Sequence, residues 1–223
     1  MSGESALTTT RQSAGVPVWR QVLDRRELLA LPAMFLLAVV FFSVATDKFL
    51  TVDNLTNVAR QSVYLLIVAL GQLVVMISGG MDLSVGSNVS LTSVLSSLAM
   101  AAIYAVYPDD PWLALWAGLA VGLAVGLVVG FVNGLGVTLL RINPFMMTLG
   151  MSSVVFGLTL FASSGTPIYG APPLHGQIFG FGKILGIPTP SIVAIIMVGV
   201  TWFILQWMRF GRQVYAAGGN SRA

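Results

Sequence analysis

The sequence has no cysteine and a single histidine, His175. Without thiols it can form no disulfide, no thiolate metal site and no cysteine nucleophile. One imidazole cannot by itself build a metal site of the usual composition. Charge is scarce as well: lysine, arginine, aspartate and glutamate make up 9% of the 223 residues, against about 25% in soluble domains. With 56% hydrophobic residues and a mean hydropathy of +0.88, the composition is that of an integral membrane protein. The excess of three positive charges is too small to argue for nucleic acid. A P-loop is missing: Gly182-Lys183 is followed by Ile184, so ATP hydrolysis by that route is excluded. An intramembrane aspartyl protease needs two facing acids, and only Asp82 lies near the bilayer interior.

What the sequence does have is long apolar runs. A polar tail, residues 1–27, carries Arg11, Arg20, Arg25 and Arg26. Apolar stretches follow near Leu28–Ala45, Val63–Ile77, Ser87–Val106, Trp112–Leu140, Phe145–Ala162 and Ser191–Trp207. A spanning helix needs about 20 such residues. The expectation is therefore an all-α polytopic membrane helix bundle with about six transmembrane helices between 28 and 208 and a cytoplasmic segment at 209–223. Ser43-Val44-Ala45 resembles a signal-peptide cleavage site. The leader before the run is long, however, and the run exceeds the usual core of about 7 to 15 residues, so an uncleaved anchor is expected. Asp53 to Arg60 reads as a short amphipathic surface helix with Asp53 as its N-cap. Five prolines and six glycines mark 163–190 as a long structured loop.

The basic residues orient these spans. With the N-terminus inside, Arg11, Arg20, Arg25, Arg26, Arg141, Arg209, Arg212 and Arg222 fall on the cytoplasmic side. Lys48, Arg60 and Lys183 fall outside. The positive-inside rule then places both termini in the cytoplasm.

Between the second and third runs stands S-G-G-M-D-L-S-V-G-S, residues 78–87. Permissive glycines at 79, 80 and 86 next to a carboxylate predict a broken-helix segment near 79–86. Non-helical backbone at membrane depth must be enclosed by protein or line a water-filled cavity, and broken helices often border a transport path. Asp82 is expected to cap the helix that starts near Leu83 or to hold the turn before it; the alternative is a proton-carrying carboxylate in a secondary carrier. Gln72 and Asn133 are amides within apolar runs, suited to interhelical hydrogen bonds or to lining a polar path. Gly118, Gly122, Gly126, Gly130 and Gly134 recur every four residues. Each step advances the helix by about 400°, which makes a slowly spiralling ridge for close helix packing. Gly218-Gly219 suggests a tight backbone turn.

Four blocks carry a resemblance: S-G-G-M-D-L-S-V-G-S (78–87), N-G-L-G-V-T-L-L-R-I-N-P-F-M-M-T-L-G (133–150), S-S-G-T-P-I (163–168) and F-G-R-Q-V-Y-A-A-G-G-N (210–220). In content and order they resemble the ribose/xylose/galactose-type permeases of bacterial ABC importers, over roughly residues 28 to 223. The related branched-chain amino-acid permeases match G-G-M-D-L-S poorly. The resemblance implies a subunit of the bacterial cytoplasmic membrane that imports a simple sugar without a cofactor of its own. ATP would be used by a separate cytoplasmic ATP-binding subunit. The other implied partners are a periplasmic or extracellular sugar-binding protein, a second permease copy in a homo- or heterodimer, and membrane lipid. Gly211, Arg212, Gly218, Gly219 and Asn220 would lie in the loop that couples to the ATPase. Gln72, Asp82 and Asn133 are the expected sugar path. Members of that family continue through several more spans, so the chain resembles the N-terminal part of a permease, and a non-transporting fragment is the remaining alternative.

The absence of natural thiols allows a direct topology test. Cysteines placed singly at Asp110 and His175 should react with an impermeant maleimide added outside intact cells, and those at Ser2 and Ser221 should not; the reverse pattern overturns the orientation.

Overall fold

The computed structural model describes residues 26–219. Its long helices are α1 (Arg26–Ala45), α2 (Val52–Ile77), α3 (Val85–Val106), α4 (Pro111–Thr138), α5 (Pro144–Ser163), α6 (Thr189–Trp207) and a shorter α7 (Arg209–Gly219). Helices α2 to α6 are each long and apolar enough to cross a membrane; in α1 the apolar part, Leu29–Ala45, is shorter. Two compact units divide between Leu55 and Thr56. Within the first, Phe42 stacks on Phe49 with ring centroids 5.7 Å apart, and the Asn54 amide donates to the Phe49 carbonyl at 2.8 Å.

The helix ends follow their local chemistry. Asp110 caps α4 by accepting from Leu113 N–H, with Pro111 at the first helical position. Asn143 caps α5 by accepting from Phe145 N–H, again with proline next. Proline suits that place because its missing N–H would be unpaired there anyway. Arg141, in the corner between them, has φ 54°.

Three local expectations are corrected. Asp53–Arg60 is no separate surface helix but the opening of α2. Thr51 caps it instead, its hydroxyl accepting from Asn54 N–H at 3.4 Å, which leaves Asp53 in the first turn, where its charge complements the helix dipole. Gly86 belongs to α3, so the break covers 78–84. Segment 209–219 is a helix, and neither Gly218 nor Gly219 is among the left-handed glycines. The region 163–190 is a structured loop as expected, holding a short helical turn at Pro173–His175, a π turn at Gly176–Gly180 and a two-residue hairpin pairing Lys183–Ile184 with Ile187–Pro188.

Helix α3 is the centre of the second unit and packs against both α4 and α5. Leu91, Val129 and Val155, one from each helix, form its core, with Leu95, Val125 and Met151 around them. Only 6% to 17% of each candidate span is buried within the chain, so the outward apolar faces are available to lipid or to further helices. The glycines of α4 divide. A Cβ on Gly118 would collide with Met100 of α3, and one on Gly122 would come 2.6 Å from the Ser96 hydroxyl. Gly126, Gly130 and Gly134 have open space. The division follows from the step of the ridge, about 40° past a full turn at each repeat: by the third glycine it has turned away from α3. Gly118→Val should therefore destabilise the α3–α4 pair by about 1–3 kcal/mol through overpacking, whereas Gly126→Ala should leave it unchanged. Denaturation midpoints in detergent check this, and equal midpoints for Gly118→Val and the parent would sink it.

Candidate functional site at the break between α2 and α3

Helix α2 stops in a Schellman turn. Gly80 N–H donates to the Val75 carbonyl and Gly79 N–H to the Met76 carbonyl, each at 3.0 Å, with Gly79 at φ 84°. A residue with a Cβ is strained in that conformation, so glycine ends the helix here. Three residues later Asp82 starts the next element. Its Oδ1 accepts from Ser84 N–H at 2.8 Å and from the Ser84 hydroxyl at 2.6 Å. Ser84 is the N-cap residue of α3. Asp82 thus holds the turn leading into α3 through the cap residue, one step earlier than a cap on first-turn N–H groups.

Two other helices close onto this turn. From α4, the Asn133 amide donates to the Ser84 hydroxyl oxygen at 2.8 Å. From α5, the Thr148 hydroxyl approaches the Met81 carbonyl at 3.2 Å and its own helix's Pro144 carbonyl at 2.8 Å. Ser84 is fully buried, and Asn133 and Thr148 nearly so. A polar chain therefore runs Asn133 to Ser84 to Asp82, every donor pointing towards the carboxylate. It borders a cleft of about 260 Å³ lined by Asp82, Asn133, Thr148, Gly130 and Gly134, among others. Asn133 Oδ1 is buried with no hydrogen-bond partner. Such an atom costs about 1–3 kcal/mol, and the residue that carries it lines the cleft wall.

The expected path residues are thus partly brought together. Asp82 and Asn133 share one network. Gln72, half-buried on α2 with an unpartnered Oε1, does not line this cleft. Ser84 and Thr148 went unforeseen; the signal for Ser84 is the Asp-x-Ser spacing of an Asx turn, while Thr148 reaches the site only by tertiary packing. Gly130 and Gly134, expected as packing glycines, line the cleft. In the expected coupling segment, Gly211 and Val214 of α7 are buried and Arg212 is exposed. A Cβ on Gly211 would overlap the carbonyls of Leu205 and Ile204, so glycine lets α7 fold back on α6. Asn220 lies outside the described residues.

The loops of the second unit gather into two sets. One holds the break, the α4–α5 corner and the end of α7, joined by the Asn133–Ser84 and Thr148–Met81 contacts and by Gly218 against Ile77. In the other, Tyr64 donates to the Phe179 carbonyl at 3.0 Å, the Arg60 guanidinium lies 5.5 Å from the Phe181 ring centroid, and His175 and Phe179 share a pocket with Trp112 and Trp116.

A family model described as branched-chain amino acid transport system / permease component matches residues 54–223. The chain belongs to this permease family. The ribose import permease protein of Bacillus subtilis (strain 168) is 41% identical over 186 residues, which cover 83% of this chain and 55% of the relative. The D-allose transport system permease protein of Escherichia coli (strain K12) is 33% identical over 192 residues, 85% of this chain and 56% of the relative. The galactose/methyl galactoside import permease protein of the same strain is 31% identical over 202 residues, 85% and 59% of the two chains. The chain therefore spans less than two thirds of the length of these relatives. No solved structure matches it.

If the three side chains act as one network, Ser84→Ala and Asn133→Ala should not be additive: each should cost about 1–3 kcal/mol, and the double variant should depart from their sum by at least roughly 0.5 kcal/mol. A double-mutant cycle in detergent measures this, and strict additivity would refute the network.

Proposed function

We propose that the chain is a membrane-spanning permease subunit of an ATP-driven importer that moves a simple sugar across the bacterial inner membrane. The observation that carries the reading is its likeness to permeases named for ribose, allose and galactose. The geometry supports it: the cleft at the break offers amide, hydroxyl and backbone groups to a neutral solute, which needs hydrogen-bonding partners more than charges. Asp82 spends Oδ1 holding the turn before α3, and a proton-carrying secondary mechanism is not favoured by these relatives.

On this reading the sugar path includes Asp82, Asn133 and the newly placed Thr148, which line the cleft, with Ser84 buried behind them and Gln72 also on α2. Helix α7, with Gly211, Arg212, Gly218 and Gly219, and Asn220 beyond it, meets a cytoplasmic ATP-binding subunit, which uses the ATP; this chain holds no cofactor of its own. A periplasmic or extracellular sugar-binding protein delivers the sugar, and a second permease copy, identical or related, completes the pore within lipid. Both termini face the cytoplasm. Arg141, Arg209 and Arg212 belong to the loop set that holds the break, Arg60 and Lys183 to the other, as the positive-inside rule requires of a cytoplasmic break.

Reconstitution of the complete importer in liposomes tests the reading with ribose, allose and galactose. Uptake should require ATP and be indifferent to an imposed proton gradient. Asp82→Asn should retain most of it, because an amide oxygen still accepts from Ser84; Asp82→Ala should lose more, at a stability cost of about 1–3 kcal/mol. Uptake that follows the proton gradient and vanishes in Asp82→Asn would instead establish the secondary carrier.

A further inference from the structure

Backbone meets backbone where α7 reaches the end of α2. A Cβ on Gly218 would overlap the Ile77 carbonyl oxygen and stand 3.2 Å from the Ser78 carbonyl carbon. Opposite it, a Cβ on Gly79 would lie 3.6 Å from the Gly218 Cα. The last carbonyls of a helix have no acceptor role left within it, and a glycine Cα–H is a group that can approach one closely. Gly219, the next residue, has open space around it. At its other end α7 is held by Gly211 under the carbonyls of Ile204 and Leu205, with Val214 buried between. Arg212, Gln213, Ala216 and Ala217 remain exposed. The helix thus has a direct contact at each end, with Val214 buried between them and these four side chains facing outward.

What Gly218 touches is the turn that carries the site. Gly79 sits in the Schellman turn, and three residues on Asp82 binds Ser84, which binds Asn133. The three atoms nearest a Cβ on Gly218 are all backbone atoms of Ile77 and Ser78; packed backbones transmit movement because interiors deform little. We infer that Gly218 is a positioning residue: it couples movement of α7 to the Asp82–Ser84–Asn133 cleft, so that an ATPase bound to the exposed face of α7 shifts the solute path through the Gly218–Ile77 contact. This rests on the importer reading and adds to it the place where the coupling signal crosses into the membrane-spanning part.

The test uses the complete importer with its ATPase and sugar-binding protein. Gly218→Val should still insert and retain the ATPase, while hydrolysis stimulated by sugar-loaded binding protein falls roughly fivefold or more, the range of ordinary coupling energies. Gly218→Ala should fall less than Gly218→Val and more than Gly219→Ala. Spin labels at Ser78→Cys and Ala216→Cys, with any cysteine outside residues 1–223 replaced, since these residues contain none, should keep one narrow separation with and without bound nucleotide, and that separation should broaden in Gly218→Ala. A Gly218→Val protein that couples as well as the parent overturns the inference. So does a Gly219→Ala protein that loses as much as Gly218→Ala, or a parent whose labels part on nucleotide binding while uptake proceeds. Where Gly218→Val does not insert, Gly218→Ala and the label separation decide. A parent that neither binds nor stimulates any ATPase refutes the importer reading, and the label separation then still reports whether α7 and the break move together.

Discussion

Everything in the second unit is arranged around one constraint: a chain that leaves helical geometry among apolar helices must find partners for its backbone. Each buried polar group left unpaired costs about 1–3 kcal/mol. Between Ile77 and Val85 the structure meets that demand locally with the Gly79 turn and the Asp82–Ser84 bonds. It meets the remainder from a distance, with Asn133 on Ser84 and Thr148 at the Met81 carbonyl. Those two long-range bonds fix where α4 and α5 lie relative to α3. Of the residues that satisfy the break, Asp82, Asn133 and Thr148 also line the cleft, while Ser84 is buried behind them.

Glycine supplies the other half of the architecture. Helices in lipid gain nothing from hydrophobic exclusion of water between them, so they associate by close approach. Gly118 and Gly122 bring α4 onto α3, Gly136 seats Met147 at the α4–α5 corner, Gly211 folds α7 under α6, and Gly218 sets α7 on the end of α2. In each case the neighbour occupies the space a side chain would need. At Gly79 the reason is different, a left-handed φ, and in the α4 series the last two glycines serve the cleft wall instead of a helix seam. One residue type thus performs three separate tasks, which only the surroundings distinguish.

The family description names branched-chain amino acids, whereas the relatives described above are named for sugars. The polar groups at the break are one carboxylate already engaged by Ser84, one buried amide oxygen, and hydroxyls with short local bonds. Among the described residues, no lysine or arginine lines this cleft.

Much of this was legible in the sequence, because the determinants are local. Apolar runs of spanning length define the helices, and Gly79 and Asp82 announce the interruption. The sequence also determined that 163–190 would be ordered without being a spanning helix, since its prolines and glycines deny the i to i−4 ladder. Tertiary structure alone decided which distant groups meet. Asn133 and Ser84 are 49 positions apart, Thr148 and Met81 67, and periodicity gives the face of a helix without giving its neighbour. Gln72 looked equivalent to Asn133 for that reason and is not. Gly218 and Gly219 are adjacent and chemically identical; one is pressed against a carbonyl and the other is open, a difference that exists only once α7 has packed against α2.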